Sequence, residues 1–275
     1  MSLNSTSNAI FPWDTPLTQS QYFLPASFFV AVLAALLVYS IARRTSTARG
    51  NALLLVGPPE AGKTAILSEL VYGQTVPTHT SLQTNVSLMN LPGKKHPIKV
   101  VDVPGHPRIR DQFRDYLSEA KAIVFVADAN LVSRNGAAVA EHLHSVMQAL
   151  LSLPPSHKLP TLVILAHKAD LVKTSATSDS SALAIDRMQK VLQRELEKRR
   201  LAQTGGMGVD TLGSEDEKSD ISGLECSSPG GVFQFENWDG GEIVFLGTSL
   251  KPSSSDSEKG TTGLQALQEW MDENL

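Results

Sequence analysis

Apolar runs alternate with polar connections through residues 50–275, and their spacing predicts strands alternating with helices. Residues 52–56 (Ala-Leu-Leu-Leu-Val), 122–127 and 162–166 are almost wholly apolar, as strands covered by helices on both faces are. Residues 84–91 and 98–103 flank the turn sequence Pro92-Gly93-Lys94-Lys95 and predict a hairpin. Residues 63–71, 136–151 and 182–201 read as helices, the last with Ile185, Met188, Leu192 and Leu196 at near-helical spacing. A strand over 243–246 and a helix with Leu264, Leu267 and Met271 on one side close the chain. The expected fold class is α/β with a mostly parallel central sheet.

Ahead of this pattern, residues 23–42 hold no charge. As a helix they would span about 30 Å, the thickness of a bilayer core. Tyr22 and Tyr39 lie near its ends, and Arg43, Arg44 and Arg49 follow it, whereas residues 1–22 carry only Asp14 as a charge. Positive residues stay cytoplasmic. The expectation is therefore a short lumenal tail over 1–21, a transmembrane anchor over 22–42, a basic linker over 43–50 and a cytosolic domain over 51–275. A cleaved signal peptide would need its basic residues before the apolar core. A buried core helix would precede the first strand with nothing yet to bury it.

Composition narrows the classes. The 275 residues are 41% hydrophobic with a formal net charge of -4, which gives no sign of a nucleic-acid partner. The single cysteine, Cys226, excludes an internal disulfide framework. Asn4-Ser-Thr6 is a formal glycosylation acceptor on the side read as lumenal; Asn85-Val-Ser87 would be cytosolic and silent. Residues 203–231, rich in Gly and Ser with the acidic cluster Glu215-Asp216-Glu217, are expected to form a disordered insertion.

The candidate chemistry sits at strand ends. The first strand runs into Gly57-Pro58-Pro59-Glu60-Ala61-Gly62-Lys63-Thr64-Ala65, which matches the phosphate loop G-x-x-x-x-G-K-[ST]. Backbone N–H groups at a helix N-terminus hold phosphates there, Lys63 supplies a point charge, and the Thr64 hydroxyl reaches Mg²⁺. Asp102, in Asp102-Val-Pro-Gly105, ends another strand and can hold Mg²⁺ through water; Gly105 can present its N–H to the terminal phosphate. Asp111 and Asp128 are rival carboxylates without the adjacent Pro-Gly hinge. In His167-Lys168-Ala-Asp170, the Asp170 carboxylate can accept from the two N–H donors of guanine while Lys168 covers the base. An ordinary helix cap is the plainer reading of Asp170. Thr248, Ser249 and Leu250 follow the last strand as a loop closing on the base. Between the first helix and second strand, Thr80 is the expected third metal ligand beside Thr64 and Asp102, with Thr84 and Thr78 as alternatives. The expected cofactors are GTP and Mg²⁺.

These motifs, the apolar N-terminal segment, Asp102-Val-Pro-Gly105-His106-Pro-Arg-Ile-Arg110 and Ala122-Ile-Val-Phe-Val-Ala-Asp128 resemble the β-subunit family of the signal recognition particle receptor, near the Arf and Sar branch of small GTPases. The resemblance covers residues 22–275. It implies a Ras-like GTPase core of the P-loop class behind an N-terminal transmembrane helix at the endoplasmic reticulum membrane. It also implies GTP-dependent binding to the N-terminal domain of the receptor's α subunit, and leaves room for a ribosome contact.

Three departures bear on mechanism. His167 stands where the family of base-reading motifs has Asn, His106 where most Ras-like enzymes have a water-orienting Gln, and Pro59 where fast members have Gly. His106 is either the water-orienting catalytic group or a contact to the partner, and slow intrinsic hydrolysis is expected. The rival functions are a trafficking GTPase of the Arf or Sar type and a membrane-tethered scaffold with a GTP that is never turned over.

Overall fold

The computed structural model describes residues 31–32, 50–94, 96–154, 157–173, 179–205, 224, 232–250 and 263–275. The chain divides into two units, Met1–Ala48 and Arg49–Leu275, and every element below belongs to the second. Strands β1 (Ala52–Val56), β2 (Asn85–Met89), β3 (Ile98–Asp102), β4 (Ala120–Asp128), β5 (Thr161–His167) and β6 (Ile243–Gly247) form one sheet in the order β2-β3-β1-β4-β5-β6. Only β2 runs antiparallel to its neighbour, β3, to which the expected turn joins it. Gly93 in that turn has φ +77, a conformation open to glycine at little cost.

The two-residue period of the strands sorts the apolar runs onto two faces. Leu54, Val56, Ile123 and Phe125 pack on one face with Leu143, Met147 of α2 (Val132–Leu151) and Met188, Leu192, Leu196 of α3 (Ser180–Gly205). Leu53, Leu55, Val124 and Val126 pack on the other with Ile66 of α1 (Lys63–Tyr72) and Leu267, Met271 of α4 (Gln265–Asn274). Each fully buried large apolar side chain contributes about 1.5–3 kcal/mol relative to exposure. The near-continuous apolar runs of β1, β4 and β5 are what this two-sided cover requires.

The sequence pattern places α2 at 136–151, but it starts four residues earlier, at Val132, because Asp128 Oδ1 accepts from the N–H groups of Asn130 and Leu131 and turns the chain into the helix. A 3-10 segment, Arg110–Glu119, buries Phe113 and Leu117 between β3 and β4; apolar periodicity gave no signal for it. Residues through Gly205 continue α3, and Leu224 is buried in the first core face; the rest of the expected insertion over 203–231 lies outside the described residues.

The expected transmembrane helix is corrected. Among the described residues no helix is long and apolar enough to cross a membrane. The two helices of sufficient length are too polar. Arg134 and Glu141 interrupt α2, and α3 carries Asp186, Arg187, Lys190, Arg194 and Glu195 among others. A span needs about 20 predominantly apolar residues in a row. Of residues 22–42 only Ala31 and Val32 are described, so the tail, anchor and linker expected over 1–50 otherwise lie outside the described residues, apart from Gly50. The bilayer partner and the single-pass topology at the endoplasmic reticulum rested on that helix and are withdrawn with it.

Candidate functional site

Because β1, β3, β4, β5 and β6 run parallel, their C-terminal ends gather at one edge, where ligands bind in open α/β sheets. The loops leaving that edge enclose a cleft of about 540 Å³. It is lined by Pro59, Glu60, Gly62, Lys63, Thr64 and Ala65 of the first loop and helix start, by residues 78–81 before β2, by Pro104 and Gly105 after β3, and by residues of the loops after β5 and β6, among them His167, Lys168, Asp170 and Leu250.

The loop over residues 57–62 folds by local necessity. Gly57 (φ +146) and Gly62 (φ +99) take backbone angles that side chains rarely adopt, and Glu60 (φ +61) does so despite its Cβ. Lys63 Nζ donates to the carbonyls of Gly57 (2.9 Å) and Pro58 (2.8 Å), lacing the loop around its own helix start. Burial pulls the Lys63 ammonium down to about 8, while Asp102 acts in the opposite sense. Gly105 fits against this loop because it lacks a Cβ, which would lie 2.5 Å from the Gly57 carbonyl oxygen.

Beneath the cleft, Asp102 is fully buried. Its Oδ2 accepts from Thr64 Oγ1 at 2.7 Å, from Asn85 Nδ2 at 3.2 Å and from Ser81 Oγ at 3.4 Å. Thr64 and Ser81 hydroxyls are 2.9 Å apart. Asp102 Oδ1 is buried with no hydrogen-bond partner among the described residues. A buried carboxylate oxygen without a partner, beside two hydroxyls, is a donor set suited to a hard cation that keeps most of its ligands as water or phosphate. No group of three or more His, Cys, Asp or Glu side chains that could hold a metal occurs among the described residues. Such a group is not what Mg²⁺ beside a phosphate chain needs.

Thr80, the expected third metal ligand, lines the cleft, while the hydroxyl in contact with Thr64 and Asp102 is that of the next residue, Ser81. Three threonines and a serine within seven positions carry equal chemistry, and only the path of the loop separates them. Asn85, which also donates to Asp102, has no signal in the sequence, and Asp128, a rival carboxylate to Asp102 by sequence, pairs with Lys168 instead.

His167 is buried, its Nδ1 lies 3.0 Å from Thr248 Oγ1, and its ring packs against Gly62. Burial is the main reason the ring is held down to about 4; Lys168 adds to this and Asp128 opposes it. The ring is therefore neutral at pH 7. Lys168, itself in the left-handed conformation (φ +59), donates to the Glu60 carbonyl at 2.8 Å and pairs with Asp128 at 2.8 Å. The bracing of the phosphate loop that an Asn would give falls to Lys168 and the His167 ring. Asp170 is exposed on the cleft wall, free to accept from a ligand edge. Thr248 and Ser249 lie buried behind it, with the Thr248 carbonyl accepting from Ala169 N–H. Gly57 and Asp102 lie outside the cleft lining, as do Pro58 and Ala61, which face the opposite side of the loop. His106 is exposed beyond the cleft, with Nδ1 accepting from Arg108 N–H at 3.3 Å.

Residues 48–240 match the signal recognition particle receptor beta subunit family. The signal recognition particle receptor subunit beta of Mus musculus is 30% identical over 89% of this chain and 85% of its own length. The structure of the mammalian SRP receptor covers 82% of this chain and 100% of that chain at 26% identity, with a TM-score of 0.59. The SRb-GTP/SRX complex from Chaetomium thermophilum, 19% identical over 82% of this chain and 98% of its own, shares the fold with a TM-score of 0.54.

Proposed function

The chain belongs to the signal recognition particle receptor beta subunit family, and on that premise we propose that its cleft binds GTP with Mg²⁺ and that the GTP form docks the receptor's α subunit through that subunit's N-terminal domain. The observation that carries the reading is the Thr64–Asp102 pair at 2.7 Å, with Asp102 Oδ1 left without a partner among the described residues, directly beneath a cleft that Thr64 and Asp170 both line.

Bound Mg²⁺ neutralises charge on the phosphates. Thr64, Ser81 and Asp102 are the residues that would hold it, directly or through water. Lys63 is already buried beside the loop, and a triphosphate would restore its full charge by giving it an anion to face. Asp170 selects guanine, since adenine lacks the paired N–H donors a carboxylate can accept from. Lys168 ties the base-reading loop to Glu60, so base contact and phosphate contact act on one rigid unit.

Partner docking has a physical basis in the segment that follows the cleft. Leu82, in the segment before β2, and Val86 and Leu88, on the edge strand β2, are 75%, 48% and 65% exposed, apolar side chains close in sequence to Ser81. Thr84 Oγ1 donates to Gln112 Oε1 at 3.0 Å, joining this segment to the 3-10 segment after Gly105. Both segments facing the terminal phosphate are thus linked to a surface a protein partner would cover.

Hydrolysis is slow on this reading. His106 stands beyond the cleft, and Pro59 lacks the N–H a glycine would offer there. The test is to purify the full chain, identify the bound nucleotide and follow its turnover. Retained guanine nucleotide with slow loss of the terminal phosphate supports the proposal. Adenine nucleotide in the cleft, or none under any Mg²⁺ condition, removes it.

A further inference from the structure

Asn85 is the first residue of the edge strand β2, and the register of the β2–β3 ladder decides where its side chain goes. Met89 and Ile98, both buried, pair at the far end of the ladder. From there the two-residue period puts Ser87, Asn85 and the Asp102 opposite Asn85 on one face, with Val86 and Leu88 on the other. A slip of one residue would carry Asn85 away from Asp102. In the register observed, Asn85 Nδ2 donates to Asp102 Oδ2 at 3.2 Å, although Asn85 is exposed and the carboxylate is fully buried. Chemistry fixes which end of the amide faces Asp102, because an amide oxygen there would repel the carboxylate.

Three donors meet on Oδ2, and they are not alike. Thr64 and Ser81 offer hydroxyls, and both residues line the cleft. A hydroxyl has one proton to give and two lone pairs, so one that donates to Asp102 keeps its oxygen available to a cation. The two hydroxyls are also 2.9 Å from each other, and either can donate to the other instead. The Asn85 amide nitrogen only donates, and Asn85 does not line the cleft. Its bond to Asp102 is therefore the one that does not compete with a metal for the same atom.

The elements carrying the donors differ too. Ser81 lies in an irregular segment, whereas Asn85 is fastened in the ladder directly opposite Asp102. The last torsion of an aspartate is broad. A carboxylate held by the hydroxyls alone would turn with them.

We propose that Asn85 is a positioning residue for the metal: it holds the plane of the Asp102 carboxylate, so that Asp102 keeps accepting from Thr64 and Ser81 while their oxygens face a divalent cation. The inference rests on the reading of the cleft as a site for GTP with Mg²⁺. Asn85 touches neither the nucleotide nor the cation on this account and acts through Asp102, as outer partners of metal-binding groups do.

The test is to titrate Mg²⁺ into the full chain with a fluorescent GTP analogue, and to repeat the binding measurement in excess EDTA. Asn85→Ala is expected to raise the Mg²⁺ concentration for half-maximal binding about tenfold, the usual scale for losing an outer partner. Affinity in EDTA and the melting temperature of the nucleotide-free protein should stay close to the parent values. Asn85→Val lacks the donor as well but suits a strand better, and should behave like Asn85→Ala even if the latter disturbs β2. Ser87→Ala, on the same face of β2 but opposite Val100, is the control and should leave the Mg²⁺ requirement unchanged. An unchanged or lowered requirement in both Asn85 variants overturns the assignment. So does a loss of affinity that is equal in Mg²⁺ and in EDTA, or a rise that Ser87→Ala reproduces. If the parent protein itself binds the analogue equally well in Mg²⁺ and in EDTA, the Mg²⁺ reading of the cleft falls, and this inference with it.

Discussion

Gly62 and His167 are in direct contact: a Cβ at Gly62 would lie 2.7 Å from His167 Cδ2 and 2.9 Å from Nε2. The phosphate loop and the base-reading loop therefore meet ring to backbone, and the same glycine also needs its left-handed φ of +99. Gly62→Ala combines backbone strain with a clash against a ring that is itself buried. The expected cost is about 1–3 kcal/mol in the stability of the nucleotide-free protein. Guanine nucleotide affinity should fall with it. Thermal denaturation and a nucleotide titration check both.

Asp102→Asn keeps the shape of the side chain and removes its charge. Thr64, Ser81 and Asn85 now face an amide in place of a carboxylate. The expected result is a loss of about 1.5–3 kcal/mol in Mg²⁺-supported GTP binding. Binding measured in excess EDTA should change much less, so the gap between the two conditions narrows. An unchanged Mg²⁺ dependence would mean that Asp102 does not serve the metal.

Asp170→Asn should exchange the base preference. The variant offers an N–H donor where guanine also has one, while xanthine presents a carbonyl there. A competition assay is expected to show about a tenfold to hundredfold loss of GTP relative to xanthosine triphosphate. Unchanged preference for guanosine would return Asp170 to the role of a helix cap.

Acid should destabilise the domain through its buried histidines. His167 titrates at about 4 and His142 at about 3 in the folded protein, against 6.5 when unfolded. Between those values the unfolded chain binds protons that the folded chain does not. The stability from keeping the rings neutral is present above pH 6.5 and is lost as pH falls toward 4 and below. Each ring contributes a slope of up to about 1.4 kcal/mol per pH unit in that window. In His167→Asn the slope of denaturation midpoints between pH 6 and 4.5 should be shallower, which urea titrations across that range would register.

Much of the candidate site is legible in the sequence because its parts are short motifs tied to strand ends. Gly57, Gly62, Lys63, Thr64 and Asp102 sit where β1 and β3 end, and the parallel sheet brings those ends together whatever the loops do. Ser81 was not legible, because the segment before β2 has no periodicity and several hydroxyls compete within it. The Lys168 links to Asp128 and Glu60 were also hidden, since they join residues 40 and 108 positions apart. The charge-free run over 22–42 looked decisive by length alone, yet among the described residues the helices long enough to span are amphipathic α2 and α3.

The exposed side chains of Leu82, Val86 and Leu88, close in sequence to Ser81, make nucleotide-controlled docking the central claim. Its most direct test is the affinity of the full chain for the N-terminal domain of the receptor α subunit, measured by calorimetry with a non-hydrolysable GTP analogue and again with GDP. The account predicts binding about 5-fold to 150-fold tighter in the GTP form, the span of ordinary allosteric coupling. Equal affinity in the two nucleotide states would contradict it.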